Sequence, residues 1–323
     1  MMAIRIGLAL VAALLAAQPA DAQARYPDKP VRFIVGFTAG SATDTTARMF
    51  AQKFQDAWNV PVTVENVPGA GGSVGGDRVA KSAPDGSTFY WGANGALTIN
   101  PTLQANPTYE VQRDLAPVAR LLVMASIVAV GNDVPAKSVA ELFTLAKAQP
   151  GKLSYSTSGA GSGPHLAAEM FKEATGTFIV HVPYRGGGPA IGDLIAGHVQ
   201  LSFMTVLEAS GHIKAGKLRA LAVTGSQRVP ALPEVPTLAE AALPGFNSIS
   251  WIGVLAPAGT PKEIVDKVSS DVREVLASDD VKLKLIELGA VPAGTTPAQF
   301  QALIASDRKR YEQVIKDKKI TVD

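Results

Sequence analysis

The sequence predicts an α/β fold with a largely parallel sheet, divided over about two domains. Three observations carry this. The length, 323 residues, exceeds what one hydrophobic core ordinarily serves. From Tyr26 onward, short β-rich runs alternate with runs of helical spacing. One chemical idea also occurs twice: a strand-like run, a loop of small hydroxyl residues and glycines, then a helix. The first is 33–37, then Thr38-Ala39-Gly40-Ser41-Ala42-Thr43-Asp44, then a helical run from Thr45. The second is Leu153-Ser154-Tyr155, then Ser156-Thr157-Ser158-Gly159-Ala160-Gly161-Ser162-Gly163, then a helix opened by Pro164-His165-Leu166. Each loop puts free backbone N–H groups and hydroxyls at a helix N-terminus, where anions are held. Two such loops far apart in sequence suggest the two jaws of one anion clamp.

The elements follow in order. Residues 31–37 form an apolar strand and 47–58 carry helical spacing. Val62-Thr63-Val64-Glu65 is a strand ended by Pro68-Gly69, and the glycine-rich run 69–76 leads into a helix at about 77–82. Pro84-Asp85-Gly86 is a turn and 88–91 a strand. The apolar run 121–130 is longer than one ordinary buried strand needs. Ser138-Val139-Ala140-Glu141 is a capping box before a helix that ends near Pro150-Gly151. His181-Val182-Pro183-Tyr184 is a short strand before a loop of three glycines, 186–188, and 189–196 is helical. Strands follow at 200–205 and 219–224, a proline-rich connector at 228–244, and a strand at 250–255. Two C-terminal helices are announced by Thr260-Pro261-Lys262-Glu263 and Thr296-Pro297-Ala298-Gln299, each offering an N-cap Thr, an N1 Pro and an acidic or amide N3. Neither brings a strand of its own, so both are expected to dock on the N-terminal lobe. That leaves 126–130 and 250–255 as two hinge crossings.

Composition bounds the function. The formal charge is +2, too near zero for a nucleic-acid or membrane-surface binder. Basic residues gather only at Arg308-Lys309-Arg310 and Lys316-Asp317-Lys318-Lys319, where Asp307, Glu312 and Asp317 are interspersed. Arg5 followed by the apolar stretch 6–17 reads as a signal peptide, with A-x-A sites at Ala20-Asp21-Ala22 and Ala22-Gln23-Ala24. The expectation is export to the periplasm with cleavage after Ala22 or Ala24. The sequence has no cysteine, so disulfides and thiolate chemistry are excluded.

Motifs for other chemistries fare less well. No loop gives an intact G-x-G-x-x-G or a G-x-x-x-x-G-K-[ST], so nucleotide binding is not expected. Gly71-Gly72-Ser73-Val74-Gly75 matches the G-x-S-x-G nucleophile elbow, with Asp193 and His198 or His212 in triad order. An elbow needs a strand running straight into the serine, and here Pro68 and several small residues intervene. A serine hydrolase using Ser73 therefore stands as the alternative reading. Of the four histidines, His165 shares a helix face with Glu169 at i, i+4, but no third metal ligand has suitable spacing. Trp251 lies in a proposed hinge strand and is a candidate cleft wall. Arg185 reads as a loop cation. The loop 156–163 holds four hydroxyls and three glycines, more than a turn needs, which points to ligand contact.

Several phrases, in order, carry a family resemblance: Tyr26-Pro27-Asp28-Lys29-Pro30-Val31, Val64-Glu65-Asn66 with Pro68-Gly69-Ala70-Gly71-Gly72, Pro150-Gly151-Lys152-Leu153, Ser158-Gly159-Ala160-Gly161-Ser162 with His165-Leu166, Val182-Pro183-Tyr184-Arg185-Gly186, the run 216–224, and Trp251 with 256–261. From Tyr26 to the C-terminus the chain resembles the substrate-binding proteins of tripartite tricarboxylate transporters, the TctC or Bug-type periplasmic receptors. The resemblance implies a two-lobed periplasmic binding protein fold (type II) with two hinge strands and a cleft between lobes. The expected division is 1–24 signal peptide, 25–127 plus 249–323 lobe 1, and 128–248 lobe 2. It implies a monomeric, non-enzymatic solute-binding protein without cofactor. This would capture a small carboxylate, a di- or tricarboxylate or an aromatic acid, for membrane permease subunits; delivery to a signalling partner, as a ligand sensor, is the other option.

Carried onto this sequence, the implied ligand-binding residues are Phe37, Thr38, Gly40, Ser41, Thr43 and Asp44 in the first loop, and Gly95, Ala96 and Leu97 beside it. In the second lobe they are Thr157, Ser158, Gly161, Ser162, His165, Tyr184, Gly186, Met204 and Thr205. The first loop departs from the family's usual Pro-Gly-Gly, reading Ala39-Gly40-Ser41. Met204 and Thr205 stand where many members carry Asp or Asn, which argues against recognition of a ligand ammonium group.

Overall fold

A computed structural model describes residues 26–104, 106–317 and 320–321. The leader at 6–17, its cleavage sites, and Lys318 and Lys319 of the basic tail lie outside the described residues. No helix among the described residues is long and apolar enough to cross a membrane.

The first half starts with β1 (Val31–Val35), α1 (Ala42–Trp58), β2 (Val62–Asn66), α2 (Ser73–Ala80) and β3 (Thr88–Ala93). β2 and β3 flank β1 in parallel. Four of the five β1 residues are buried, as a strand covered on both faces requires. A π-helical turn (Gly95–Ile99) and two short helices, α3 (Asn100–Leu103) and α4 (Val111–Asp114), lead to β4 (Leu115–Gly131). The second half holds α5 (Val139–Ala148), β5 (Ser154–Thr157), α6 (Gly163–Thr175), β6 (Val180–Pro183), α7 (Gly187–Ile195), β7 (Leu201–Thr205), α8 (Val206–Lys214), β8 (Leu218–Val223) and α9 (Leu238–Ala241). The chain returns through β9 (Ile249–Pro257), α10 (Lys262–Ala277), α11 (Asp279–Glu287), β10 (Ala290–Pro292) and α12 (Pro297–Asp317).

β4 explains the long apolar run. From Leu115 to Ala125 it pairs antiparallel with β9. From Ser126 to Gly131 it changes partners and lies between β7 and β8, again antiparallel. One strand thus belongs to both halves of the sheet, which is ordered β2-β1-β3-β9-β4-β7-β5-β6. The sheet is mixed and not largely parallel: its outer strands are parallel, but β9 and β4 run antiparallel in the middle. That follows from a chain that leaves the first half on β4 and returns on β9.

The return crossing lies just before β9, not within 250–255, because β9 pairs only with β3 and β4. Thr224 ties the two crossings together. Its hydroxyl accepts from Ser126 N–H at 2.9 Å and donates to Ser248 O at 2.6 Å. Backbone bonds Thr224 N to Ser126 O and Ser248 N to Thr224 O complete the joint.

Several sequence boundaries shift, each for a local reason. α1 starts at Ala42, because Ser41 rather than Thr43 or Asp44 is its N-cap; Ser41 Oγ accepts from Asp44 N–H. α2 starts at Ser73, not near Asp77. Gly75 and Gly76 do not break it: a Cβ at Gly75 would lie 2.9 Å from Gly36 Cα, and one at Gly76 2.4 Å from the Tyr109 hydroxyl. These glycines admit close packing, so their low helix propensity is overridden. Thr260 is not a cap. Its hydroxyl turns back to Pro257 O at 2.8 Å, and α10 starts without a side-chain cap. At Thr296 and Gln299 the reciprocal box does form. The connector 228–244 contains the capped helix α9. Three C-terminal helices follow β9 rather than two, and they do bring a strand, β10, which pairs with β4. They dock on the first half, α10 against β4 and α1, α12 against β4 and the π-helical turn.

The tryptophans are core residues. Trp91 stacks on Phe33 at 4.8 Å and Trp58 on Phe54 at 4.3 Å. Trp251 is not a cleft wall. It is 1% exposed, meets the Phe300 ring edge-on, and donates from Nε1 to Asp307 Oδ2 at 2.7 Å, which pins α12 to β9. A buried hydrogen bond to a charged group contributes about 1.5–3 kcal/mol. Trp251→Phe should therefore lower stability by roughly that amount in urea unfolding. Its coupling to Asp307→Asn in a double-mutant cycle measures the bond, and a coupling near zero would show that ring packing alone holds α12.

Candidate functional site

The two hydroxyl–glycine loops meet. The N-terminus of α1 (Ser41, Ala42, Thr43) and that of α6 (Ser162, Gly163, Pro164) line one cavity with Phe37, Ala93, Asn94, Met124, Ser158, Thr205, Glu208, Ser250 and Ile252. This cavity is small, about 30 Å³. Phe37 and Ser158 also line a second cavity of about 430 Å³, bounded by the 68–72 glycine loop and by Pro183, Tyr184 and Arg185. A larger cavity of about 610 Å³ lies elsewhere in the second half, lined by Asn132, Gln149, Gln200 and Lys217 among others. It contains neither helix N-terminus, so size does not decide which cavity matters here.

Local chemistry positions each jaw. Ser162 caps α6 as Ser41 caps α1, its Oγ accepting from His165 N–H at 3.3 Å. With both cap hydroxyls committed, the hydroxyls of Thr43, Ser158 and Ser250 remain on the cavity wall without a side-chain partner among the described residues. Asn94 Oδ1 is buried without a hydrogen-bond partner, and so is Thr38 Oγ1. An unmet buried polar atom costs about 1–3 kcal/mol. A group bound in the cavity that donates to Asn94 Oδ1 would remove that cost.

The halves touch closely enough to demand glycine. A Cβ at Gly95 would sit 2.8 Å from Gly161 O, and one at Gly161 would fall 1.6 Å from Asn100 Oδ1. Thr38 N donates to Arg185 O at 3.4 Å across the same seam.

The expected residues divide accordingly. Phe37, Ser41, Thr43, Ser158, Ser162 and Thr205 line the small cavity, and Tyr184 the larger one beside it. Thr38, Gly161 and Gly186 lie on the seam; a Cβ at Gly186 would reach 2.1 Å from Thr38 Oγ1. Gly40 is exposed and donates its N–H to Asp44 Oδ2 at 2.9 Å. Asp44 is not on the cavity wall. Burial works against its charge, but hydrogen bonds from Arg48, Gly40 and Asn66 outweigh this and hold its carboxyl below the usual range. Ala96 and Leu97 face the core, as does Met204 opposite Ile127 in β4. Thr157 and His165 lie behind the second loop.

Behind that loop is a stack of rings: His165 on His181 at 4.2 Å and His181 on Tyr155 at 4.7 Å. Gly161 N donates to His165 Nδ1 at 3.1 Å, which puts the ring proton on Nε2, facing Glu169 at 3.8 Å. Glu169 also accepts from the Tyr155 hydroxyl at 2.5 Å and from Lys172. Burial pushes His165 down to about 4, with Glu169 opposing and Lys172 assisting. His181 is pushed down to about 3, by burial first and then by His165 and Lys172. Among the described residues no cluster of three or more His, Cys, Asp or Glu could hold a metal ion.

Ser73 does not resemble an activated nucleophile. It is the first residue of α2, buried, with its Oγ accepting from the amides of Asn100 at 3.1 Å and Gln104 at 3.4 Å. Asp193 and His198 do pair, at 3.3 Å, but on an exposed surface.

Glu208 was not foreseen from sequence. It is the N3 residue of a box capping α8, and its Oε2 accepts from Thr205 N and Oγ1. Its Oε1 crosses the cavity to accept from Ala42 N–H at 3.2 Å. Burial pushes its carboxyl above the ordinary value, and every group that opposes this is neutral. Asn94 and Ser250 also went unnoticed. The only available signal was for Glu208: Thr205-Val206-Leu207-Glu208 is itself a capping-box sequence directly after a strand.

Residues 46–320 match the model of the tripartite tricarboxylate transporter family receptor, TctC. The chain belongs to this family. Protein BugT of Bordetella pertussis is 36% identical over 313 residues, 97% of this chain and 95% of that protein. A solved R. palustris protein with adipate is 35% identical, with a TM-score of 0.90 over 92% of this chain and 99% of that one. MatC of Rhodopseudomonas palustris with bound malate is 31% identical, with a TM-score of 0.86 over 90% of this chain and 100% of that one. The receptor therefore has the two-lobed fold of the periplasmic solute-binding proteins.

The histidine stack gives this receptor a pH dependence with a definite sign. The unfolded chain protonates these rings near pH 6.5, the folded chain only near 4 and 3. Between those values the unfolded state binds more protons, so stability is complete above pH 6.5 and falls with pH. His181→Gln should flatten this dependence relative to the parent protein, by on the order of 2 kcal/mol between pH 6.5 and 4. Urea midpoints across that range measure it, and parallel slopes would mean that the ring titrates as if exposed.

Proposed function

We propose that this chain is a periplasmic receptor that captures a small carboxylate, a di- or tricarboxylate or an aromatic acid. It would deliver this ligand to the membrane permease subunits of a tripartite tricarboxylate transporter. The observation that carries the reading is the meeting of two helix N-termini, from opposite halves of the molecule, on one cavity lined by uncommitted hydroxyls. Such a site favours an anion without needing a lysine or arginine. The adipate and malate complexes of the related proteins support the ligand class. The apolar stretch 6–17 and its A-x-A sites support export.

The mechanism is closure of two lobes, 25–127 with 249–323 against 128–248. A carboxylate bridging both N-termini interacts with both lobes only when they are together, and this differential affinity shifts the population. Each charge-assisted hydrogen bond contributes about 1.5–3 kcal/mol and each helix end about 0.3–1 kcal/mol. Catalysis at Ser73 has little support, because its hydroxyl is tied to two amides in place of an imidazole.

A thermal-shift screen over mono-, di- and tricarboxylates tests the class. At a hundredfold excess over Kd, a true ligand stabilises by about 2.7 kcal/mol. No response to any acid, with a response to a sugar or a metal ion, would overturn the reading. Thr43→Ala with Ser158→Ala removes one hydroxyl from each jaw and leaves both N-caps intact. The pair should weaken binding by about 10–100-fold per lost bond in titration calorimetry, with little change in stability. Unchanged affinity would remove the hydroxyls from the site.

A further inference from the structure

Glu208 stands where a ligand carboxylate would be expected. Of the first N–H groups of α1, Asp44 N is taken by Ser41 Oγ and Thr45 N by Ser41 O. Ala42 N is taken by Glu208 Oε1 from the other half of the molecule. The position is built and not incidental. The capping box holds the second oxygen of Glu208 against Thr205, and Gly187 leaves room for the first, since a Cβ there would fall 2.2 Å from Oε1. Among the described residues Glu208 has no ion pair, so the cavity carries an acidic group with no cation to balance it. A second carboxylate drawn to the same N-terminus meets this group at short range and competes with it for the Ala42 N–H.

We propose that Glu208 is a tethered competitor for the ligand. Without ligand it bridges the lobes through Ala42, and an entering carboxylate takes over the Ala42 N–H and displaces it. This rests on the carboxylate-receptor reading above and adds a regulator to the same site. The receptor's affinity is then the difference between a free and a tethered carboxylate at one helix end, and the protein without ligand is held partly closed. A ligand whose carboxylate binds mainly at α6 would escape the competition, so Glu208 also biases selection among acids.

Two variants test this. Glu208→Gln keeps the α8 cap, because the amide oxygen can still accept from Thr205 N, but it turns an N–H₂ group toward Ala42 N and breaks the bridge. Glu208→Ala removes bridge and cap together. Titration calorimetry with succinate, malate, adipate, citrate and benzoate should give affinities about tenfold or more tighter for Glu208→Gln than for the parent protein. Small-angle scattering without ligand should give a larger radius of gyration for both variants. Unchanged or weaker affinity in a folded Glu208→Gln protein would overturn the proposal while leaving the carboxylate reading intact. So would a loss confined to the hydroxy acids malate and citrate, since Glu208 would then be a ligand contact. If no acid binds the parent protein or either variant, the carboxylate reading fails and this proposal with it. Binding seen only in the variants supports both.

Discussion

Everything at the cavity depends on β4 changing partners between Ala125 and Ser126. Before that point the strand is stitched to β9, after it to β7 and β8. Continuous backbone hydrogen bonding across the change means that the two halves share a strand instead of hanging on a flexible linker. It also fixes which strand ends meet. Thr205, at the end of β7, pairs with Ser126 at the change point, so the α8 N-terminus that follows is delivered to the seam. Met124 and Ile252, from paired β4 and β9, form the floor of the cavity there. The Thr224 joint, with its bonds to Ser126 and Ser248, keeps the outgoing and returning chains side by side.

The second constraint is how an anion can be held with so few charges. Cations near the cavity are otherwise occupied or outside it: Arg48 is spent on Asp44, and Arg185 is exposed on the neighbouring cavity. What remains is backbone N–H, hydroxyl and helix dipole, which act at short range and more strongly when water is excluded. That explains the glycines along the seam, since Gly95 lets backbone approach backbone and Gly161 admits the Asn100 side chain where a Cβ would hold the lobes apart. It also explains why an acidic group with no counter-cation matters so much. In a site armed with lysines, Glu208 would be one charge among several. Here it is the one acidic side chain on the cavity wall among the described residues.

Much of this was legible in the sequence, and the exceptions are instructive. The hydroxyl–glycine loops were readable because hydroxyls, glycines and a following helix form a local pattern. So was the Thr296–Gln299 box, whose partners are three residues apart. The apolar run 121–130 was visibly too long for one ordinary buried strand, though its true extent, Leu115–Gly131, did not show, because Pro117 and Arg120 at the bulges break the apolar pattern. The start of α2 was misread because Gly75 and Gly76 look like helix breakers until Gly36 and Tyr109 are seen against them. Trp251 illustrates the commonest failure. Alternate residues of a strand face opposite sides, and sequence could not say which side held the cavity; Ser250 and Ile252 face it, and Trp251 faces Phe300 and Asp307.

Glu208 failed to register for a different reason. Within the sequence it is a capping residue, a role that accounts for it fully, and one of its oxygens does cap α8. The other oxygen acts across 166 residues of chain, on a helix N-terminus whose own cap, Ser41, leaves Ala42 N–H unclaimed. A local role and a long-range role occupy the same carboxylate, and only folding separates them. The histidine stack is the counterpart on the other jaw. His165 looks like a ligand contact because it follows the serine loop, yet its ring turns inward and accepts from Gly161 N–H, holding that loop from behind. One jaw therefore has its loop geometry set by an uncharged buried ring, and the other has its helix end occupied by a carboxylate from the opposite lobe. In the folded chain the two jaws differ in what each already binds: Ala42 N–H a carboxylate, Gly161 N–H an imidazole.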